Sequence, residues 1–163
     1  MTLLVLGYGN LDRQDDGVAW HVLSQLMQVY GLPEPTSIDV DEYFKEKDIH
    51  FLFQLQLLPE LAYDLDRYDY AVLIDAHTGA IANEVNVENV IPDFQSSPLT
   101  HHLTANSLLA ISQQIHQKYP QAILVSIRGY YFTFTQQLSP QTAELVSIAV
   151  AKIEDWMNNQ KIA

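Results

Sequence analysis

The sequence predicts an α/β domain in which helices cover both faces of a mostly parallel sheet. Two observations carry this. Leu3 to Leu6, Ala71 to Ile74 and Ala122 to Ile127 are short, nearly uninterrupted apolar runs, the pattern of strands buried on both faces. Around them lie segments whose apolar residues recur at three- and four-residue intervals, the helical period. Alternation of the two patterns is what helices packed across a parallel sheet require.

Taken in order, the first run is a strand. Met1-Thr2-Leu3-Leu4-Val5-Leu6 has no basic segment ahead of it, so it reads as a buried strand and not a signal peptide. Val18, Val22, Leu26 and Val29 line one face of the first helix, which Gly31 and Pro33 stop. Thr36 to Val40 is a weaker strand candidate. Leu58, Leu61, Leu65 and Tyr68 form a second helix pattern, with Pro59 in its first turn. After the central run, Val85 and Val87 alternate with Glu84, Asn86 and Glu88, as in a half-exposed strand at a sheet edge. Leu108, Ile111 and Ile115 mark a third helix ended by Pro120, with Thr100 as its expected N-cap and His101 in its first turn. Leu145, Ile148, Ala149, Ile153 and Trp156 mark a fourth, with Ser139 as N-cap and Pro140 at the first helical position.

The 163 residues suit one domain, 1–163. No apolar run reaches the roughly 18 to 20 residues that span a bilayer, and the expected location is the cytoplasm, with no membrane partner. The chain has no cysteine, which removes disulfides, thiolate ligands and cysteine nucleophiles; a metal must sit on His, Asp or Glu. Eight basic and twenty acidic side chains give a net charge of −12. Nucleic acid is excluded as a partner, because phosphate neutralisation needs clustered Lys and Arg.

Ligands of open α/β sheets bind beyond the carboxyl ends of the strands, and polar residues begin where each apolar run stops. After the first run comes Gly7-Tyr8-Gly9-Asn10-Leu11-Asp12-Arg13-Gln14-Asp15-Asp16-Gly17. It starts like a dinucleotide-binding loop, but Asp12 stands at the third glycine, and three aspartates crowd the helix end that would bind phosphate. Either Asp15 or Asp16 caps the helix; the full set, with Asn10, suits a cation or polar substrate. Asp75 ends the central run, where a carboxylate is costly unless paired, metal-bound or wet. Pairing with Arg128, which ends the third run, and a loop-capping role are the alternatives. His101 and His102 are adjacent, about 100° apart on a helix, so only one of them suits a given metal. Asp16, Asp75 and His101 make an oxygen, oxygen, nitrogen set that fits nickel, zinc or iron better than calcium or magnesium. No Gly-x-Ser-x-Gly elbow, His-Glu-x-x-His helix or Walker A loop is present.

The segment Leu3 to Leu11, followed by Asp15-Asp16-Gly17-Val18, resembles the [NiFe]-hydrogenase maturation endopeptidases, as do Asp75-Ala76 and Thr100-His101-His102-Leu103. The resemblance implies a three-layer α/β/α sandwich. It also implies an endopeptidase, a hydrolase that removes the C-terminal extension of the nickel-loaded large-subunit precursor. Carried over, the nickel ligands fall on Asp16, Asp75 and His101, with Asp16 and Asp75 catalytic and the nickel supplied by the substrate. Asn10, His77 and Arg128 are the expected substrate-binding residues, with His77 and Arg128 on the rim of the same cleft. Asp16 is shorter than the glutamate frequent in the family. The Gly-Thr motif usual after the second strand is replaced by the segment Phe53 to Leu61, and Ser126-Ile127-Arg128-Gly129-Tyr130 also departs from the common pattern. With Asp75-Ala76-His77-Thr78-Gly79, these last two segments resemble the subgroup serving bidirectional, NAD-linked hydrogenases. The alternatives are a nucleotide- or cofactor-binding module and a non-proteolytic nickel or hydrogenase assembly factor.

Overall fold

A computed structural model describes residues 1–95 and 102–162. Six strands form one sheet in the order β2-β3-β1-β4-β6-β5: β1 (Leu3–Tyr8), β2 (Asp41–Phe44), β3 (Ile49–Gln54), β4 (Tyr70–His77), β5 (Val85–Val90) and β6 (Gln121–Arg128). The four inner strands are parallel, and β2 and β5 close the edges antiparallel.

The unbroken apolar runs are explained by what covers each face. In β1, Leu3 and Val5 enter one core while Leu4 and Leu6 enter another. Val72 and Ile74 of β4 join the first core; Ala71 and Leu73 join the second. Helices α1 (Val18–Val29) and α3 (Pro140–Asn159) close the first core. Helix α2 (Ala105–His116) and two 3-10 turns, Pro59–Tyr63 and Leu65–Arg67, close the second. The result is a three-layer α/β/α sandwich. Each fully buried Leu or Ile contributes roughly 1.5 to 3 kcal/mol, so both faces are strongly fixed.

The helix signals act as expected at several ends. Gly31, at φ 76°, stops α1; its N–H donates to the Gln28 carbonyl and that of Leu32 to Met27, a Schellman closure. The Ser139 hydroxyl accepts from the Thr142 amide at the start of α3, and Pro140 follows it. Elsewhere the expectations need correction. Thr36–Val40 is not a strand; the pairing starts at Asp41. Strand β3 was not anticipated. The second helix pattern is realised as two 3-10 turns that meet at Asp64, with Ala62 and Leu65 buried as the period requires. The N-cap of α2 is Thr104, whose hydroxyl accepts from Ser107 N, not Thr100. Thr100 and His101 lie outside the described residues.

Candidate active site

The β1–α1 loop is built by close backbone approach. Gly9 adopts φ 144°, and a Cβ there would lie 2.1 Å from the Asp16 carbonyl oxygen. That contact folds the loop back so that the Asn10 amide donates to Asp16 Oδ2 at 2.8 Å. Asn10 Oδ1 in turn accepts from the Asp12 amide at 3.0 Å. The chain's own carboxylate thus occupies an amide that a dinucleotide loop would offer to phosphate.

The neighbouring aspartates divide their work. Asp15 is fully buried. Its oxygens accept from the amides of Tyr130 (2.8 Å), Tyr131 (2.9 Å) and Ser139 (2.8 Å), and from the hydroxyls of Ser139 (2.6 Å) and Thr142 (2.9 Å). Burial pushes its carboxyl up, but these donors outweigh that and hold it below the usual range. Asp15 therefore ties the first loop to the segment between β6 and α3. Asp16 instead faces an open cleft.

Asp75 lies near the end of β4, and its Oδ1 accepts from the Ala76 amide at 2.8 Å. Burial pushes its carboxyl up to about 7; the Ala76 amide opposes this, the charge of Asp16 reinforces it, and the Tyr8 hydroxyl opposes it. Tyr8 is pushed upward by burial and by the Asp75 charge, so it stays a neutral phenol. Tyr8, Asn10, Arg13, Asp16, Asp75 and His102 line one cleft of about 590 Å³. It lies between the ends of β1 and β4 and the start of α2, at the carboxyl side of the sheet.

The structure thus brings Asn10, Asp16 and Asp75 together. His101 lies outside the described residues. His102 is exposed and reaches the cleft. Its carbonyl accepts from Gln95 Nε2 at 2.8 Å, while Gln95 Oε1 accepts from the Thr104 amide at 3.0 Å. Among the described residues no group of three His, Asp or Glu is arranged to hold a metal. His77 and Arg128 do not line this cleft. His77 Nδ1 accepts from the Gly79 amide (3.2 Å) and Nε2 faces the Asn83 carbonyl (3.0 Å), so the ring carries its proton on Nε2 and braces the β4–β5 turn. The Arg128 guanidinium lies 4.8 Å above the Tyr130 ring and against Gly79, where a Cβ would come within 1.3 Å of it. The β4–β6 register explains the displacement: Asp75 faces Ser126, while Arg128 faces His77, one pleat further out. Arg128 has no carboxylate partner among the described residues. Tyr8 and Arg13 were missed in the sequence. Tyr8 was legible as the polar residue at the end of a buried run; Arg13 carried no signal.

No family model matches the chain, and no curated protein matches it significantly. Solved structures do. The hydrogenase maturating endopeptidase HybD from E. coli superposes with a TM-score of 0.73 at 18% identity, over 98% of this chain and 94% of that one. The [NiFe] hydrogenase maturation protease HybD from Thermococcus kodakarensis gives 0.61 at 17% identity, over 96% and 99%. The hydrogenase 2 maturation peptidase from Thaumarchaeota archaeon SCGC_AB-539-E09 gives 0.60 at 15%, over 100% of both chains. The fold of this chain is that of the hydrogenase maturation endopeptidases.

Proposed function

We propose that the chain is an endopeptidase that removes the C-terminal extension of a nickel-loaded [NiFe]-hydrogenase large-subunit precursor in the cytoplasm. The observation that carries this is the convergence of Asp16 and Asp75 on one cleft at the strand carboxyl ends, in a chain with the maturation-protease fold. The protein acts as one domain, and among the described residues no helix is long and apolar enough to cross a membrane.

In this reading the nickel is part of the substrate. Asp16 and Asp75 supply two oxygens to it, and His101 supplies the nitrogen on the strength of the sequence resemblance. Nickel polarises the scissile carbonyl; one of the carboxylates takes the proton of the attacking water. Asp75 suits that second task when Asp16 holds the metal, because burial raises its carboxyl to about 7 in the nickel-free protein. Asn10, His77 and Arg128 keep their proposed substrate contacts, the last two one pleat beyond Asp75 and Ser126. The precursor's mass after incubation with the protein tests the reading. Loss of the C-terminal extension supports it. An intact precursor bound to the protein points to an assembly factor instead.

A further inference from the structure

The segment after β6, Gly129-Tyr130-Tyr131-Phe132-Thr133-Phe134, displays aromatic rings to water. Phe134 is 91% exposed, Tyr131 51% and Tyr130 37%. An exposed apolar loop is ordinarily left loose, yet this one is fastened along its length. Asp15 holds the amides of Tyr130 and Tyr131. The Thr133 hydroxyl donates to Gln14 Oε1 at 2.6 Å. The Thr135 amide donates to the Asp12 carbonyl at 3.1 Å, and its carbonyl accepts from the Gln14 amide at 2.8 Å. Gln136 Nε2 donates to Asp12 Oδ1 at 2.7 Å. These anchors lie in the loop that carries Asp16, while the Gly129 amide and the Tyr130 hydroxyl are held from the other side by the His77 carbonyl and Glu84. Aromatic side chains on a backbone already fixed before binding cost less ordering entropy on association and are frequent anchors of interfaces.

We propose that Tyr131 and Phe134 are a docking platform for the folded body of the precursor, holding it while its C-terminal tail enters the cleft. The proposal rests on the protease reading above. The platform is continuous with the cleft, because Arg13 lines the cleft and also bridges to Thr135. The two loops are hydrogen-bonded together along their length, so a body seated on the aromatics presents its tail in a fixed register to Asp16 and Asp75. Charge narrows the occupant further. The chain carries −12, so an apolar surface on a partner that is not itself strongly acidic is favoured. A second copy of this chain brings the same negative charge and is repelled.

The test is steady-state processing of nickel-loaded precursor by wild type, by the double variant Tyr131→Ser/Phe134→Ser, and by Tyr119→Ser. Tyr119 is also an exposed aromatic, 40% accessible, but it precedes β6 at the opposite end of the sheet. The double variant is expected to raise KM about tenfold or more, the range of truncated interface anchors, with an unchanged melting temperature; Tyr119→Ser is expected to match wild type. A processing wild type whose double variant has the same KM overturns the platform and leaves the protease reading standing. A wild type that dimerises while the double variant stays monomeric assigns the rings to self-association and also overturns it. A wild type that leaves the precursor intact overturns both.

Discussion

At the scale of single residues, Asp75 carries opposed demands. It is placed where the proposed chemistry needs a carboxylate, and burial there disfavours the charge. Its folded value of about 7 lies above the ordinary 3.8, so between those pH values the folded chain holds a proton that the unfolded chain has released. Stability therefore falls as pH rises through that window and stays lowered above it. In the nickel-free protein, Asp75→Asn should raise the melting temperature by several degrees at pH 8 and change it little at pH 4, since each kcal/mol moves a chain of this size by about 2 to 4 °C. Processing should be lost. Calorimetry at the two pH values checks the first part; a lower melting temperature at pH 8 contradicts it. The histidines make a second pair of outcomes. His101→Ala should abolish processing, while His102→Ala should retain most of it. If His102→Ala is the inactive variant, the nitrogen donor is the residue the structure places on the cleft.

At the scale of elements, the least expected feature is how much depends on Asp15. It links α1's leading loop to the β6–α3 segment through five hydrogen bonds. Its carboxyl is held below the usual range, so this stabilisation is present above the unfolded value and is lost as pH falls through the folded one. Asp15→Ala removes the acceptor and leaves buried donors unpaired, at about 3 kcal/mol. A melting temperature lowered by roughly 6 to 12 °C is the expected readout. A change within a degree or two would show that the donors find other partners.

The same elements show what the sequence made legible. Leu3–Leu6, Ala71–Ile74 and Ala122–Ile127 were readable because burial on both faces leaves almost no polar residue in the run, Ser126 being the exception. Strand β3 was not, since Ile49, Phe51 and Phe53 are buried while His50, Leu52 and Gln54 are partly exposed. There Leu52 spoils the polar alternation, and His50 is satisfied only by tertiary partners, Asp41 and Tyr68, both at 2.6 Å. Thr104 is the N-cap of α2 where Thr100 is the expected one; the Gln95 side chain, which fastens the Thr104 amide from a distance in sequence, is a tertiary contact that a local motif does not carry. At the site, Asp75 and an acidic loop after the first strand were readable from where the apolar runs stop. The separation of Asp15 from Asp16 was not, because it depends on a loop more than a hundred residues away.

At the scale of the whole molecule, the sheet order sets two inner strand ends, those of β1 and β4, beside each other, and each delivers a polar residue to the cleft. A parallel sheet covered on both faces leaves that edge as the place where carboxylates can reach water and a substrate together. The central claim is that nickel in the substrate is read by this edge. The most direct measurement is the intact mass of the large-subunit precursor after incubation with the protein, with and without prior nickel loading. The account predicts loss of the C-terminal extension only from the nickel-loaded form, and none with Asp16→Asn or Asp75→Asn. Equal cleavage of the nickel-free precursor, or undiminished cleavage by both variants, would contradict it.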